Sequence, residues 1–195
     1  LIEADISEKE QTSTYFSGVD YVFHQAAVPS VPRSIAEPLL TNNSNINGTI
    51  SVLENSRINK VKKVVYAASS SAYGDSEVLP KAISMKPSPL SPYAVQKLCG
   101  EMYCKTYFDN FGLRTTSLRY FNVYGPYQDP NSEYSAVIPI FIKRALADKP
   151  ITIFGDGTTS RDFTFIEDVI QANLRAAIST KSDGHVVNVA YGDRF

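Results

Sequence analysis

Three serines, Ser69, Ser70 and Ser71, stand about twenty residues ahead of a tyrosine and a lysine spaced four apart, Tyr93 and Lys97. On a helix, residues i and i+4 share a face about one turn apart, so the phenol and the ammonium would be neighbours. A phenol with a pKa near ~10 is a poor base at neutral pH, and an adjacent ammonium favours the phenolate and lowers that value. A serine hydroxyl from the preceding strand end would orient the same substrate oxygen, so the set suits proton exchange with an alcohol. Taken alone, Tyr-x-x-x-Lys is usually a tyrosine beside a solvated lysine, and serine-rich strand ends are usually turn chemistry. The surrounding sequence decides between these readings.

Strand-like and helix-like patterns alternate along the chain. Residues 20–27 ("DYVFHQAA") form a short apolar run rich in aromatic and β-branched residues, the pattern of a buried strand. Residues 39–59 follow as a helix, with Ile46, Ile50, Leu53 and Ile58 at helical spacing. Residues 62–70 ("KKVVYAASS") are a second strand, and Pro80, Pro87 and Pro89 mark a loop. A helix is predicted over 92–111, with Ser91 as N-cap, Pro92 in the first turn and Gly112 closing it. Residues 113–125 read as the next strand and 136–149 as a helix with Pro139 in its first turn. A brief strand at 151–155, a helix at 165–180 and a last strand at 185–192 complete the pattern. Strands and helices in alternation imply an α/β fold, a doubly wound parallel sheet covered on both faces. Ligands of such sheets bind beyond the carboxyl ends of the strands, where "AAVPSVPRS", "SSSAYG" and "FNVYG" all fall.

The 195 residues, 43% of them hydrophobic, suffice for a real core. A formal charge of −1 gives no electrostatic case for nucleic acid or an anionic membrane, and no apolar run approaches a membrane span. Cys99 and Cys104, five apart on one helix, point in different directions, which argues against a disulfide and for a reduced, cytoplasmic protein. With only His24 and His185 to join them, no metal site is expected. The chain opens at Leu1 and stops just after "VVNVAYGDRF", and both ends read as the middle of something longer.

In order and at these separations, "HQAA", "NINGT", "YAASSSAYG", "SPYAVQK", "RYFNVYGP" and "RDFTFIEDV" resemble the extended short-chain dehydrogenase/reductases. More narrowly, they resemble the NAD-dependent nucleotide-sugar 4-epimerases that act on UDP-glucose, UDP-N-acetylglucosamine or their uronic acids. The likeness runs over essentially the whole chain. It implies a Rossmann-like sheet with part of a small substrate-binding region: 1–125 as a partial NAD-binding domain, 126–165 as the partial substrate region, and 166–195 returning to the sheet.

Position by position, the resemblance implies Ser69, Tyr93 and Lys97 as the catalytic set, with Lys97 also holding the nicotinamide ribose. Asp5, with Ile6 beside it, matches the acidic residue that meets the adenine. Ala26, Ala27 and Val28 occupy the turn beside the cofactor, Asn45 lies behind it, and Phe121 contacts the nicotinamide. Ser70 and Ser71 would line the sugar pocket, and Arg33 and Ser34 would sit at its far end. Ala136 and Val137 fall in the substrate set, while Asn122 and Arg161 match residues that hold the UDP phosphates. The implied reaction oxidises the sugar 4-hydroxyl, lets the flat 4-keto sugar turn over, and re-reduces it on the other face, with NAD regenerated each time. The family commonly pairs into homodimers through two helices, here 39–59 and 92–111.

Within the family, 4,6-dehydratases carry an Asp-Glu pair after the Ser or Thr, and decarboxylases typically a Glu. Ser70 and Ser71 stand there instead, with no carboxylate before Asp75, so epimerisation is favoured. A dehydratase, a decarboxylase or a non-catalytic dinucleotide or nucleotide-sugar binding module remain the alternatives. The family's glycine-rich phosphate loop does not occur among the ten glycines, so the chain as given is expected to bind NAD weakly or not at all and to be inactive. Thr152 and Phe154 depart from the UDP-N-acetylglucosamine epimerases near the uridine, which leaves the sugar open. His24 reads as structural rather than catalytic, and Arg119, Arg144 and Arg175 as surface or helix-end cations. Asp162, Glu167 and Asp168 either cap the last helix or steady Arg161.

Overall fold

The computed structural model describes residues 1–130, 137–153 and 155–195. The described elements are α1 (Lys9–Thr12), β1 (Tyr21–His24), α2 (Val31–Ala36), α3 (Pro38–Asn42), α4 (Gly48–Ile58), β2 (Lys63–Ser69), α5 (Pro92–Phe111), β3 (Thr115–Tyr120), β4 (Asn122–Tyr124), α6 (Val137–Leu146), β5 (Phe163–Phe165), α7 (Ile166–Ile178) and β6 (His185–Val189). Four strands form one parallel sheet in the order β1-β2-β3-β6. Every residue of β2 from Lys63 to Ala68 is buried, as expected of a central parallel strand covered on both faces. Alternate residues go to opposite faces: Val64, Tyr66 and Ala68 pack with Leu53 of α4 and with Cys104 and Tyr107 of α5. Val65 packs with Leu118, Val169, Ala176 and Ala177 beneath α7. The fold is therefore the doubly wound, Rossmann-like α/β sheet that the alternation of elements predicts.

The caps of α5 are local. The Ser91 side chain accepts from the Ala94 N–H, Pro92 fills the first turn, and Gly112 closes the helix in the left-handed region at φ 68°. Three stretches differ from their expected form. The helix over 39–59 is interrupted by a π-helical stretch, Asn43–Asn47, which turns Asn45 inward. The strand over 113–125 is divided between two sheets: β3 ends at Tyr120, and β4 pairs in parallel with β5 in a separate two-stranded sheet. The division falls at Phe121, whose N–H donates to Val189 of β6 while the next N–H, that of Asn122, donates to Asp162. Residues 151–153 form no strand, and Ile151 and Ile153 stay exposed. Phe154 lies outside the described residues.

At the edge of the sheet away from the serine turn, Lys63 is fully buried. Its ammonium meets Asp183, the Ser179 carbonyl and the Ser182 hydroxyl, fixing the return of the chain from α7 to β6. Among the described residues, no helix is long and apolar enough to cross a membrane.

Candidate active site

Ser69 is the last residue of β2 and opens the 3-10 turn Ser70–Tyr73. Its hydroxyl accepts from the Ser71 N–H at 3.2 Å and from the Ser71 hydroxyl at 2.8 Å. The turn ends at Gly74 with φ 62°, where any side chain would meet the Ser88 carbonyl oxygen at 2.0 Å. Glycine is therefore required, and the turn and the proline-marked loop are held in contact.

Tyr93 and Lys97 project from the first two turns of α5. The start of that helix is pinned twice, because the Tyr93 N–H also donates to the Ser34 hydroxyl at 3.0 Å. The Ser69 hydroxyl, a neighbour of the Tyr93 phenol, favours its phenolate. Burial is the larger influence, and it raises the phenol above its ordinary pKa. The expected lowering by Lys97 is therefore not met. The Lys97 ammonium is engaged elsewhere: it donates to the Ala67 carbonyl at 2.8 Å and lies 5.1 Å from the centre of the Tyr66 ring. Burial lowers Lys97 to about 8, with the Cys104 thiol opposing it.

Asn45 binds the turn after β1 in two directions, accepting from the Val28 N–H at 2.7 Å and donating to the Val28 carbonyl at 3.2 Å. It also donates to Gln96 of α5, which in turn donates to Thr41 of α3. One buried network thus joins α3, the π-helical stretch, the Val28 turn and the residue preceding Lys97. Ala26 is exposed, while Ala27 and Val28 are half-buried in that turn. Asp5 is exposed; its Oδ1 accepts from the Ser7 backbone and hydroxyl, which holds its carboxyl below the usual range. Ile6 packs beneath Gly48, where a Cβ would stand 3.0 Å from its side chain.

Asn122 and Arg161 are brought together. The Asn122 amide donates to the Asp162 carbonyl, and Arg161 is exposed beside it, bonded to Ser160 and Phe195. The Phe121 ring stands 6.3 Å from the Tyr73 ring. Arg33 is paired with Glu37 on the exposed face of α2. Ser34 is fully buried, and its hydroxyl also donates to Val31. That hydroxyl is committed to anchoring α5 rather than free for a sugar. Val137 is half-exposed at the start of α6; Ala136 lies outside the described residues.

His24 is buried, bonded to the Thr49 hydroxyl at 2.9 Å, and burial followed by the Lys97 charge lowers it to about 3. Arg119 is not a surface cation. It is buried on β3 and makes two hydrogen bonds to Glu101, because its strand face is covered by α5. Asp162 neither caps α7 nor holds Arg161; its carboxylate accepts from the N–H groups of Tyr191 and Gly192. The sequence reading missed Ser34 as an anchor, Gln96, and the Glu101–Arg119 pair. For Glu101 a signal existed, since it lies eight residues after Tyr93 and so continues the stripe of Tyr93 and Lys97.

A parallel sheet wound on both faces, with polar turns gathered beyond its strand ends, is the architecture of the dinucleotide-binding proteins. Residues 1–190 match the profile of the NAD dependent epimerase/dehydratase family, and the chain belongs to that family. It is 40% identical over 194 residues to a putative UDP-glucose 4-epimerase of Methanocaldococcus jannaschii, covering 98% of this chain and 62% of that protein. It superposes with a TM-score of 0.95 on a UDP-N-acetylglucosamine 4-epimerase from Methanobrevibacter ruminantium M1 in complex with UDP-N-acetylmuramic acid. That pair is 41% identical, and the match covers all of this chain and 62% of the other. A UDP-glucuronic acid 4-epimerase mutant from Bacillus cereus, solved with NAD, is 37% identical with a TM-score of 0.89, and the match covers all of this chain and 60% of that one. The chain thus spans about three fifths of the length of the relatives it matches.

NAD is the cofactor of this family. The chemistry of the residues expected to meet it fits: an ammonium has three donors, and Lys97, though buried, sends one to Ala67 and has others to offer to hydroxyls. Asp5 offers an ionised carboxylate. The glycine-rich pyrophosphate cradle is not among these residues. Among the described residues no cluster of His, Cys, Asp or Glu is placed to hold a metal ion.

Proposed function

We propose that this chain carries the acid/base machinery of a NAD-dependent UDP-hexose 4-epimerase. The observation that carries the reading is the placement of Ser69, at the end of β2, beside the Tyr93 phenol, with Lys97 one turn along the same helix as Tyr93. Tyr93 takes the proton of the sugar 4-hydroxyl and later returns it; Ser69 holds the same oxygen and stabilises the phenolate. Lys97 fixes the ribose edge of the cofactor, from an ammonium anchored on the Ala67 carbonyl. NAD, when bound, would supply the redox partner for the hydride at C4, which these residues cannot provide. Ser70 and Ser71 present hydroxyls where elimination would need carboxylates, and the nearest acid, Asp75, is exposed at the far end of the turn. Asn122 and Arg161 hold the diphosphate, with Val137 alongside and Phe121 against the nicotinamide; Ala136, outside the described residues, is assigned to the same substrate set.

The proposed division is 1–125 as the cofactor-binding part, 126–165 as the substrate part and 166–195 as the return to the sheet. We further place the protein in the cytoplasm, as a homodimer joined through 39–59 and 92–111. Exposed apolar side chains on those helices, Leu39, Leu40, Val95, Met102 and Phe111, support the pairing.

Proton NMR on a form extended to the relatives' length, given NAD and UDP-glucose, UDP-galactose, UDP-N-acetylglucosamine or UDP-glucuronic acid, tests the reading. A 4-epimer formed without added NADH is the expected result, and it names the sugar. A 4-keto-6-deoxy sugar or a pentose would move the protein to the dehydratases or decarboxylases.

A further inference from the structure

Two turns beyond Tyr93 on α5, Glu101 meets Arg119 of β3 through two hydrogen bonds, 2.8 and 2.7 Å long. Only 4% and 5% of the two side chains is exposed. The guanidinium also stands 4.7 Å from the centre of the Tyr73 ring, at the end of the serine turn. The Tyr73 hydroxyl donates to Asn188 of β6 at 2.6 Å, and Asn188 is the register neighbour of Arg119 in the sheet. Nothing in the proposed reaction uses these four side chains, yet they join the two elements that carry Ser69 and Tyr93.

Stability is a poor explanation for the pair. Removing two charges from water costs nearly as much as their attraction returns, and apolar residues of the same volume often serve as well. What a bidentate Arg–carboxylate pair adds is geometry, because two parallel bonds fix both distance and rotation. Rotation matters here. At Gly100 the helix backbone rides directly on Tyr66, where a Cβ would stand 2.2 Å from the phenol oxygen. That contact sets how closely α5 approaches the sheet, and the ties of Tyr93, Gln96 and Lys97 hold its first two turns; the contact by itself does not fix the rotation of the helix at Glu101. Glu101, the next residue, meets Arg119 one position before Tyr120, the register partner of Ser69.

We propose that Glu101 and Arg119, backed by Tyr73, are positioning residues that set the roll of α5 and thereby hold the Tyr93 phenol against Ser69. The proposal rests on the acid/base reading of Tyr93. An error of about 1 Å at a reacting group can cost on the order of 100-fold in rate, which is the scale of effect such a pair controls.

The test compares the wild type with Arg119→Met and with the double variant Glu101→Leu/Arg119→Met, which removes both charges and keeps apolar volume. Tyr93 is titrated in this chain by ring-carbon NMR, its signal identified by its loss in Tyr93→Phe. Turnover and KM are measured on the form extended to the relatives' length. The double variant is expected to melt at or above the wild-type temperature, with the Tyr93 midpoint raised as the phenol moves away from the Ser69 hydroxyl. Its kcat is expected to fall about 10- to 100-fold with KM within about twofold. An unchanged Tyr93 midpoint and kcat in a folded double variant would overturn the proposal. So would a double variant that fails to fold, since the pair would then be a stability element. If the wild type turned over no UDP-sugar, the functional reading would fail, while the Tyr93 midpoint would still decide the positioning role.

Discussion

The ammonium of Lys97 donates to the carbonyl oxygen of Ala67 at 2.8 Å, tying the second turn of α5 to the middle of the central strand β2. This is an expensive contact to maintain. Burial lowers Lys97 from 10.5 to about 8, so between these values the unfolded chain holds a proton that the folded chain has released. Stability therefore rises with pH across that window, and below about pH 8 the buried charge costs on the order of 3 kcal/mol.

Lys97→Met is accordingly expected to stabilise the chain by about 1–3 kcal/mol at pH 7 while abolishing turnover. The two proteins should converge in stability as pH rises toward 10.5. Thermal melts from pH 7 to 10 check this, and a destabilised Lys97→Met would mean that the ammonium is better paired than its burial implies.

His24 gives the acid limb. Its folded value of about 3 lies below the ordinary 6.5, so the stability that it contributes as a neutral ring is present above about pH 6.5. That stability is lost progressively as pH falls toward 3, to a total on the order of 5 kcal/mol. His24→Gln, which keeps a hydrogen-bonding group for Thr49, is expected to flatten the stability profile between pH 6 and about 4. An equally steep profile in the variant would assign acid unfolding to the carboxylates instead.

Ser69→Ala removes the group that opposes the burial-driven rise of the Tyr93 pKa. The rising, acid-side limb of the pH–rate profile, along which the phenolate forms, is expected to move to higher pH and kcat to fall about 100-fold. Loss of the cap on the 3-10 turn costs about a further 1 kcal/mol of stability. A kcat reduced without any shift of the profile would mean that Ser69 acts on the substrate alone.

Gly100→Ala tests the closest approach of helix to sheet. The added methyl would overlap the buried Tyr66 phenol, and overpacking of this kind costs about 1–3 kcal/mol. A lowered Tm with reduced turnover is expected; an unchanged Tm would show that α5 can rise off β2 freely.

What the sequence discloses and what it hides divide along the range of the interactions. The ends of α5 are legible because Ser91, Pro92 and Gly112 act within one turn of themselves. The buried character of β2 is legible from "KVVYAAS" alone. Ser69, Tyr93 and Lys97 could be singled out because their order and spacing belong to a motif, although their pKa values could not. Whether an ammonium faces a phenol or a carbonyl depends on Ala67, thirty residues away. Arg119 looks like a surface cation until Glu101 is placed over it. The break at Phe121 is set by Asp162, forty residues on, and the expected strand at 151–155 has no such partner among the described residues to hold it.

The central claim is that Tyr93 exchanges the proton of a sugar hydroxyl, and Tyr93→Phe tests it most directly, since it removes one oxygen from a half-buried ring. In a form extended to the relatives' length, turnover of the UDP-hexose that the wild type epimerises is expected to fall at least about 1,000-fold. NAD binding, followed by fluorescence, is expected to stay within about threefold, because Lys97 and the Val28 turn are untouched. Normal turnover by Tyr93→Phe would contradict the account.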